Sequence, residues 1–164
     1  MRTRESFLTL IAELEGDFGE YTRLMSLNRR AWDRIAAGAN DVLDWGALGF
    51  TLHAAYGALE NYFLRISKFF ENSLSSEHWH RELVEKMALD IPAVRPAFLG
   101  TTKVKGQVLE LLKFRHRFRN LYGEDLDPAR TSEVQKTAVE LAGALSRLHA
   151  EFIGKLAEIA EALS

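Results

Sequence analysis

Cysteine is absent from the 164 residues, which removes disulfides, thiolate nucleophiles and cysteine zinc sites together and fits a reducing, cytoplasmic setting. Proline is scarce. Of three, Pro92 and Pro96 fall close together and Pro128 follows Asp127, so long stretches are free to be helical. No apolar run approaches the roughly 18 residues of a membrane helix, and the opening MRTRESFLTL lacks the apolar core of a signal peptide. A soluble protein that does not engage a membrane is expected. Alternating strand patterns are missing, as is a glycine-rich phosphate loop, the glycines being dispersed. His78 and His80 lack the i, i+4 spacing that sets two imidazoles on one helical face, so neither a metal nor a cofactor is expected.

What is present is ordinary globular composition, 47% hydrophobic and 27% charged with a formal net charge of −2, at a length that fits one helical domain over residues 1–164. From Phe7 to Ile35, apolar residues such as Leu8, Ile11, Leu14, Phe18 and Tyr21 recur at spacings of three and four, predicting an amphipathic helix weakened in its middle by Gly16 and Gly19. A second run passes from Leu48 through Leu52, Leu59 and Phe63 to Phe70. A short third helix carries Trp79, Leu83, Val84 and Met87 before Pro92. The fourth runs from near Thr101 to about Tyr122, with Gly123 as its stop. Asp127 and Pro128 then read as an N-cap and first-turn proline opening a last helix through Leu141, Phe152 and Ile159. The prediction is an all-α antiparallel bundle of four long helices and one short one.

The fourth helix carries the chemistry. Val104, Val108, Leu111 and Leu112 set an apolar stripe, and at about 100° per residue Arg115, Arg119 and Tyr122 continue it where aliphatics belong. His116 and Asn120 flank them, four apart, so a connected polar surface is expected. Between Lys103 and Arg119 stand six lysines or arginines, Lys113 and Arg117 among them, against the single acid Glu110. Two readings are open. The patch either meets an anionic partner, or is solvated and paired with Glu124, Asp125 and Asp127 downstream.

The run FRHRFRNLYGEDLD at 114–127 resembles the HepT-like branch of the HEPN superfamily, whose members carry an Arg-x4-His motif followed by x-Tyr. LHAAYGALENYF at 52–63 is similar to that family's second helix, WHREL at 79–83 to its third, and IPAVRPAFL at 91–99 to the loop before its motif helix. The likeness covers roughly residues 45–130 in order. It implies a homodimer whose two motif helices face each other across a cleft, forming a metal-independent endoribonuclease site. It further implies a toxin whose antitoxin is a cognate minimal nucleotidyltransferase, with Tyr122 as the acceptor of an AMP group. RNA cleavage without metal needs a base for the 2′-hydroxyl proton, an acid for the leaving 5′-oxygen and cations for the phosphorane. Arg115 would be catalytic, and Arg119, Lys113 and Arg117 would hold RNA phosphate.

The motif departs from its pattern at one position. Where it ends in His this chain has Asn120, an amide that hydrogen-bonds but does not shuttle protons near neutral pH. His116, one turn earlier, is the best substitute base, and His80 on the third helix is a weaker one standing behind the site. His53, His78 and His149 have no supporting context in the sequence. Besides the ribonuclease, two further classes are open: a binding module of the same fold that has lost cleavage and takes nucleotide, RNA or protein, and a purely structural dimerisation unit.

Overall fold

A computed structural model describes residues 2–71, 73–74, 77–121 and 126–163. Its order is α1 (Arg4–Ala36), α2 (Val42–Phe70), α3 (Trp79–Met87), α4 (Thr102–Arg119) and α5 (Pro128–Ala162). Four long helices and one short one are therefore present among the described residues, as the apolar periodicity predicts. Each long helix opens on a side-chain cap. Thr3 and Ser6 close a capping box on α1, Asp41 and Asp44 close another on α2, Thr101 accepts from the Val104 amide, and Asp127 accepts from the Ala129 amide ahead of Pro128.

Two boundaries differ from the sequence reading. Helix α2 begins at Val42, six residues before Leu48, because the Asp41 capping box rather than an apolar stripe starts it; Val42 and Leu43 are exposed. Helix α4 stops at Arg119, with Asn120 as its C-cap, earlier than the expected end at about Tyr122. Gly16 and Gly19 leave no break in α1, whose buried Leu10, Leu14, Tyr21 and Leu24 lie on either side of them. Burial on that face outweighs a cost of about 1 kcal/mol for each helical glycine.

Helix α2 is the centre of the bundle and packs against each of the other four. Arg2, just before α1, donates to the Phe69 and Phe70 carbonyls at the end of α2, while Arg34 at the end of α1 pairs with Asp44 at the start of α2, so the two helices are antiparallel. Helices α4 and α5 are antiparallel as well, joined by Gln107 to Glu140 and by Thr137 to Glu110. Tyr56, Tyr62 and Phe63 of α2, Phe98 of the α3–α4 loop and Phe152 of α5 are the largest fully buried side chains. The start of α2 presses on the end of α4 at Gly49, where a Cβ would lie 2.5 Å from Leu126 Cδ1 and 2.8 Å from Phe118 Cε2. That contact fixes the height at which the basic end of α4 meets α2.

Candidate active site

The apolar stripe of α4 is continued by Phe114 and Phe118, not by the arginines. Val104, Val108, Leu111 and Phe114 are buried and Phe118 packs against the core, which moves Arg115 to the edge of the stripe and leaves Arg119 exposed. The reading of both arginines as replacements for core residues is thus corrected. The aromatic rings supply the burial, and the cations stand beside them facing α2 and α3.

From that edge Arg115 reaches Glu60 of α2, its Nη1 donating to Oε1 at 2.8 Å. The other oxygen, Oε2, lies 2.7 Å from Nδ1 of His80 on α3. One carboxylate therefore joins three helices. The Glu60 side chain is only 7% exposed, Arg115 is 19% and His80 is 37%, so an acid in the core leads outward through two basic groups. A buried carboxylate needs such partners, because an unpaired one is strongly disfavoured. Tyr56 lies beneath, its ring 5.5 Å from the guanidinium carbon of Arg115, and burial together with the Glu60 charge pushes its phenol well above the ordinary range. Trp79 stacks on the His80 ring at 3.7 Å.

Above this array is an open groove of about 780 Å³ between α3 and α4. His80 and Arg81 line one wall, and Lys113, Arg115, His116 and Arg119 line the other. Glu77 and Glu110 also reach it, yet cations predominate. The remaining expected residues lie elsewhere. Arg117 is exposed and lines a separate groove of about 540 Å³ between α4 and α5, where Lys113 also reaches. Asn120 does not line the first groove; its side-chain amide donates to the His116 carbonyl at 2.7 Å and caps the helix. Tyr122 lies outside the described residues, as do Glu124 and Asp125. Among the described residues the acid that pairs with Arg115 is upstream Glu60, while Asp127 pairs with Arg130.

A comparison with protein families matches residues 47–156 to the HepT-like proteins. The chain belongs to the HepT-like family. The match takes in α3, α4 and most of α2 and α5, so every groove residue named above falls inside it. Neither the curated proteins nor the solved structures contain a match. Among the described residues of this HepT-like chain, no helix is long and apolar enough to cross a membrane.

Glu60 and Tyr56 of the array were not singled out by sequence, Trp79 was placed there only as an apolar residue of the third helix, and the nearby His53 was set aside. Glu60 did leave a signal, being the only acid in α2 after its first turn, in a helix otherwise rich in buried apolar residues. His53 packs against Phe118 with ring centroids 5.4 Å apart, and its Nδ1 is buried with no hydrogen-bond partner among the described residues. Burial lowers its pKa, and the Arg115 and Arg119 charges act in the same direction. His149, on the far side of the bundle, accepts or donates at 2.8 Å with the Tyr62 hydroxyl, and burial lowers its pKa too. Each ring is neutral in the fold at a pH where the unfolded chain is already protonated. The unfolded chain then binds more protons, so stability falls as pH drops through about 6.5. Ring-proton NMR should place both titrations below the ordinary histidine value, and midpoints at or above it would contradict this burial.

Proposed function

We propose that this HepT-like protein is a metal-independent endoribonuclease, the toxin of a toxin–antitoxin pair, with the α3–α4 groove as its RNA site. The observation that carries the reading is Arg115 pinned by Glu60 at the groove wall beside His80, Arg119 and Lys113. An arginine held by a buried carboxylate keeps its fork oriented before a ligand arrives, and its remaining donors match phosphate oxygens. Such preorganised charge is what a developing phosphorane requires.

One groove offers RNA a single cationic wall, so two protomers meeting along α4 would close the cleft and double its charge. The family supports a minimal nucleotidyltransferase as the antitoxin. AMP attached at Tyr122 would add a phosphodiester charge where RNA phosphate binds. A second reading, an RNA- or nucleotide-binding module without cleavage, is favoured by one observation: Asn120 spends its amide on the His116 carbonyl instead of facing the groove.

The purified protein should sediment as a dimer at micromolar concentration and cut total cellular RNA equally well with and without a chelator, leaving 2′,3′-cyclic phosphate and 5′-hydroxyl ends. Cleavage absent from both the wild type and Asn120→His, with RNA binding present and lost in Arg115→Ala, would install the binding module in its place.

A further inference from the structure

We propose that His80 is the proton-accepting residue of the groove and that Glu60 is the positioning residue that makes it one. The inference rests on the ribonuclease reading and adds to it the group that takes the 2′-hydroxyl proton. The motif's last position cannot supply that group, because Asn120 has no titratable nitrogen and its amide is engaged with its own helix. His116 lines the groove, but it is exposed and its ring makes no hydrogen bond among the described residues, so nothing there selects one tautomer or one orientation.

His80 differs on each count. Its Nδ1 lies 2.7 Å from Oε2 of Glu60. An ionised carboxylate only accepts, so Nδ1 must carry the proton it donates, and in the neutral ring the lone pair is left on Nε2. The ring is stacked on Trp79 and lines the groove with 37% of the side chain exposed, so a substrate can reach it. The same carboxylate that fixes the tautomer holds Arg115 at 2.8 Å through its other oxygen. A phosphodiester placed on Arg115 is thereby set beside the base.

In the step, Nε2 of neutral His80 takes the proton from the 2′-hydroxyl as the 2′-oxygen bonds to phosphorus. The bond from phosphorus to the 5′-oxygen breaks, and that oxygen takes a proton from a water molecule in the open groove. The hydroxide so formed recovers the proton from the His80 imidazolium. RNA is left as a 2′,3′-cyclic phosphate and a 5′-hydroxyl, with no net change in the protein.

The charges around the ring come from three sides. Glu60 on α2 contacts it directly, Glu110, Lys113, Arg115, His116 and Arg119 face the groove from α4, and Glu77, His78 and Arg81 flank it on its own side. Of these the carboxylate is nearest and favours the imidazolium, while the cations oppose it.

The test is single-turnover cleavage of one RNA across pH 5 to 8, with thermal melting of every variant. In the wild type the rate should fall on the acid side as one group protonates. His80→Asn retains a donor to Glu60 but has no titratable nitrogen, so it should lose about 10²- to 10⁴-fold in rate at an unchanged melting temperature, and its acid limb should vanish. Glu60→Gln should move the limb to lower pH, a change that a purely structural role for Glu60 would not produce. Should His80→Asn unfold, partial recovery of His80→Ala by added imidazole is the expected sign of a missing base. A wild type that cleaves while His80→Asn keeps its rate, or with His116→Ala the more damaging of the two, overturns the assignment and leaves the ribonuclease reading standing. A wild type that does not cleave overturns both.

Discussion

Arg115→Ala is expected to lower RNA cleavage by about 10²-fold or more and to weaken RNA binding with it. The effect has two sources. Arg115 supplies the best-oriented cation of the groove, since its Nη1 bond to Glu60 fixes the side chain before substrate binds. Its removal also takes from the Glu60 carboxylate, 7% exposed, the cation bound to one of its two oxygens. Breaking a buried pair from one side costs about 3–5 kcal/mol, and the partial exposure of Arg115 puts this site at the lower end. Arg115→Lys separates the two sources. An ammonium keeps the charge beside Glu60 but offers no planar fork, so the melting temperature should stay near that of the wild type while cleavage still drops at least about tenfold. Full cleavage by Arg115→Lys would mean that any positive charge suffices and that the Glu60-held fork is not what binds phosphate.

The helices were readable because their apolar residues recur at helical spacing and because Asp127–Pro128 punctuates the chain as a cap does. The site was readable on α4 and, as a weaker candidate, at His80 on α3. Arg115, Lys113, His116 and Arg119 lie within one turn or two of each other, and the structure puts all four on one groove. Glu60 escaped notice because its partners are 20 and 55 residues away in the chain, and helical periodicity carries no information about which helix faces which. The arginines looked like core substitutions for a related reason. In FRHRFR, Phe114 and Phe118 are four apart and so are Arg115 and Arg119, so a stripe can be drawn through either pair, and only packing against the core shows that Phe114 and Phe118 are inside. Asn120 was visible as a departure from the motif, but its use as a helix cap depends on α4 ending at Arg119.

Arg95→Ala is expected to destabilise the fold by about 3–5 kcal/mol and, through α3, to disable the groove. The Arg95 side chain is 0% exposed and its guanidinium is fully used. Nε and Nη2 donate to Glu71 Oε1 at the end of α2, Nη2 also to the Lys86 carbonyl in α3, and Nη1 to the Leu89 and Pro96 carbonyls of the α3–α4 loop. Around it the loop turns tightly, with Ile91 and Arg95 exchanging backbone hydrogen bonds and Ala93 in the left-handed region at φ 62°. Alanine would leave a carboxylate and three carbonyls without these donors. The consequence reaches the site because α3 has nine residues, too few to hold a helix on its own, and is placed by what grips its ends. His80 stands in its first turn and Lys86 in its last. Loosening the Lys86 end lets α3 swing from α2, which separates His80 from Glu60 without touching either. Hydrogen exchange should therefore speed up across α3 in Arg95→Ala before it does in α1 or α5, and cleavage should fall as those amides open. Arg95→Lys, which keeps the charge next to Glu71 but cannot reach three carbonyls, should recover stability only in part. Wild-type protection of the α3 amides in Arg95→Ala would show that the packing of Leu83, Val84 and Met87 alone seats the helix.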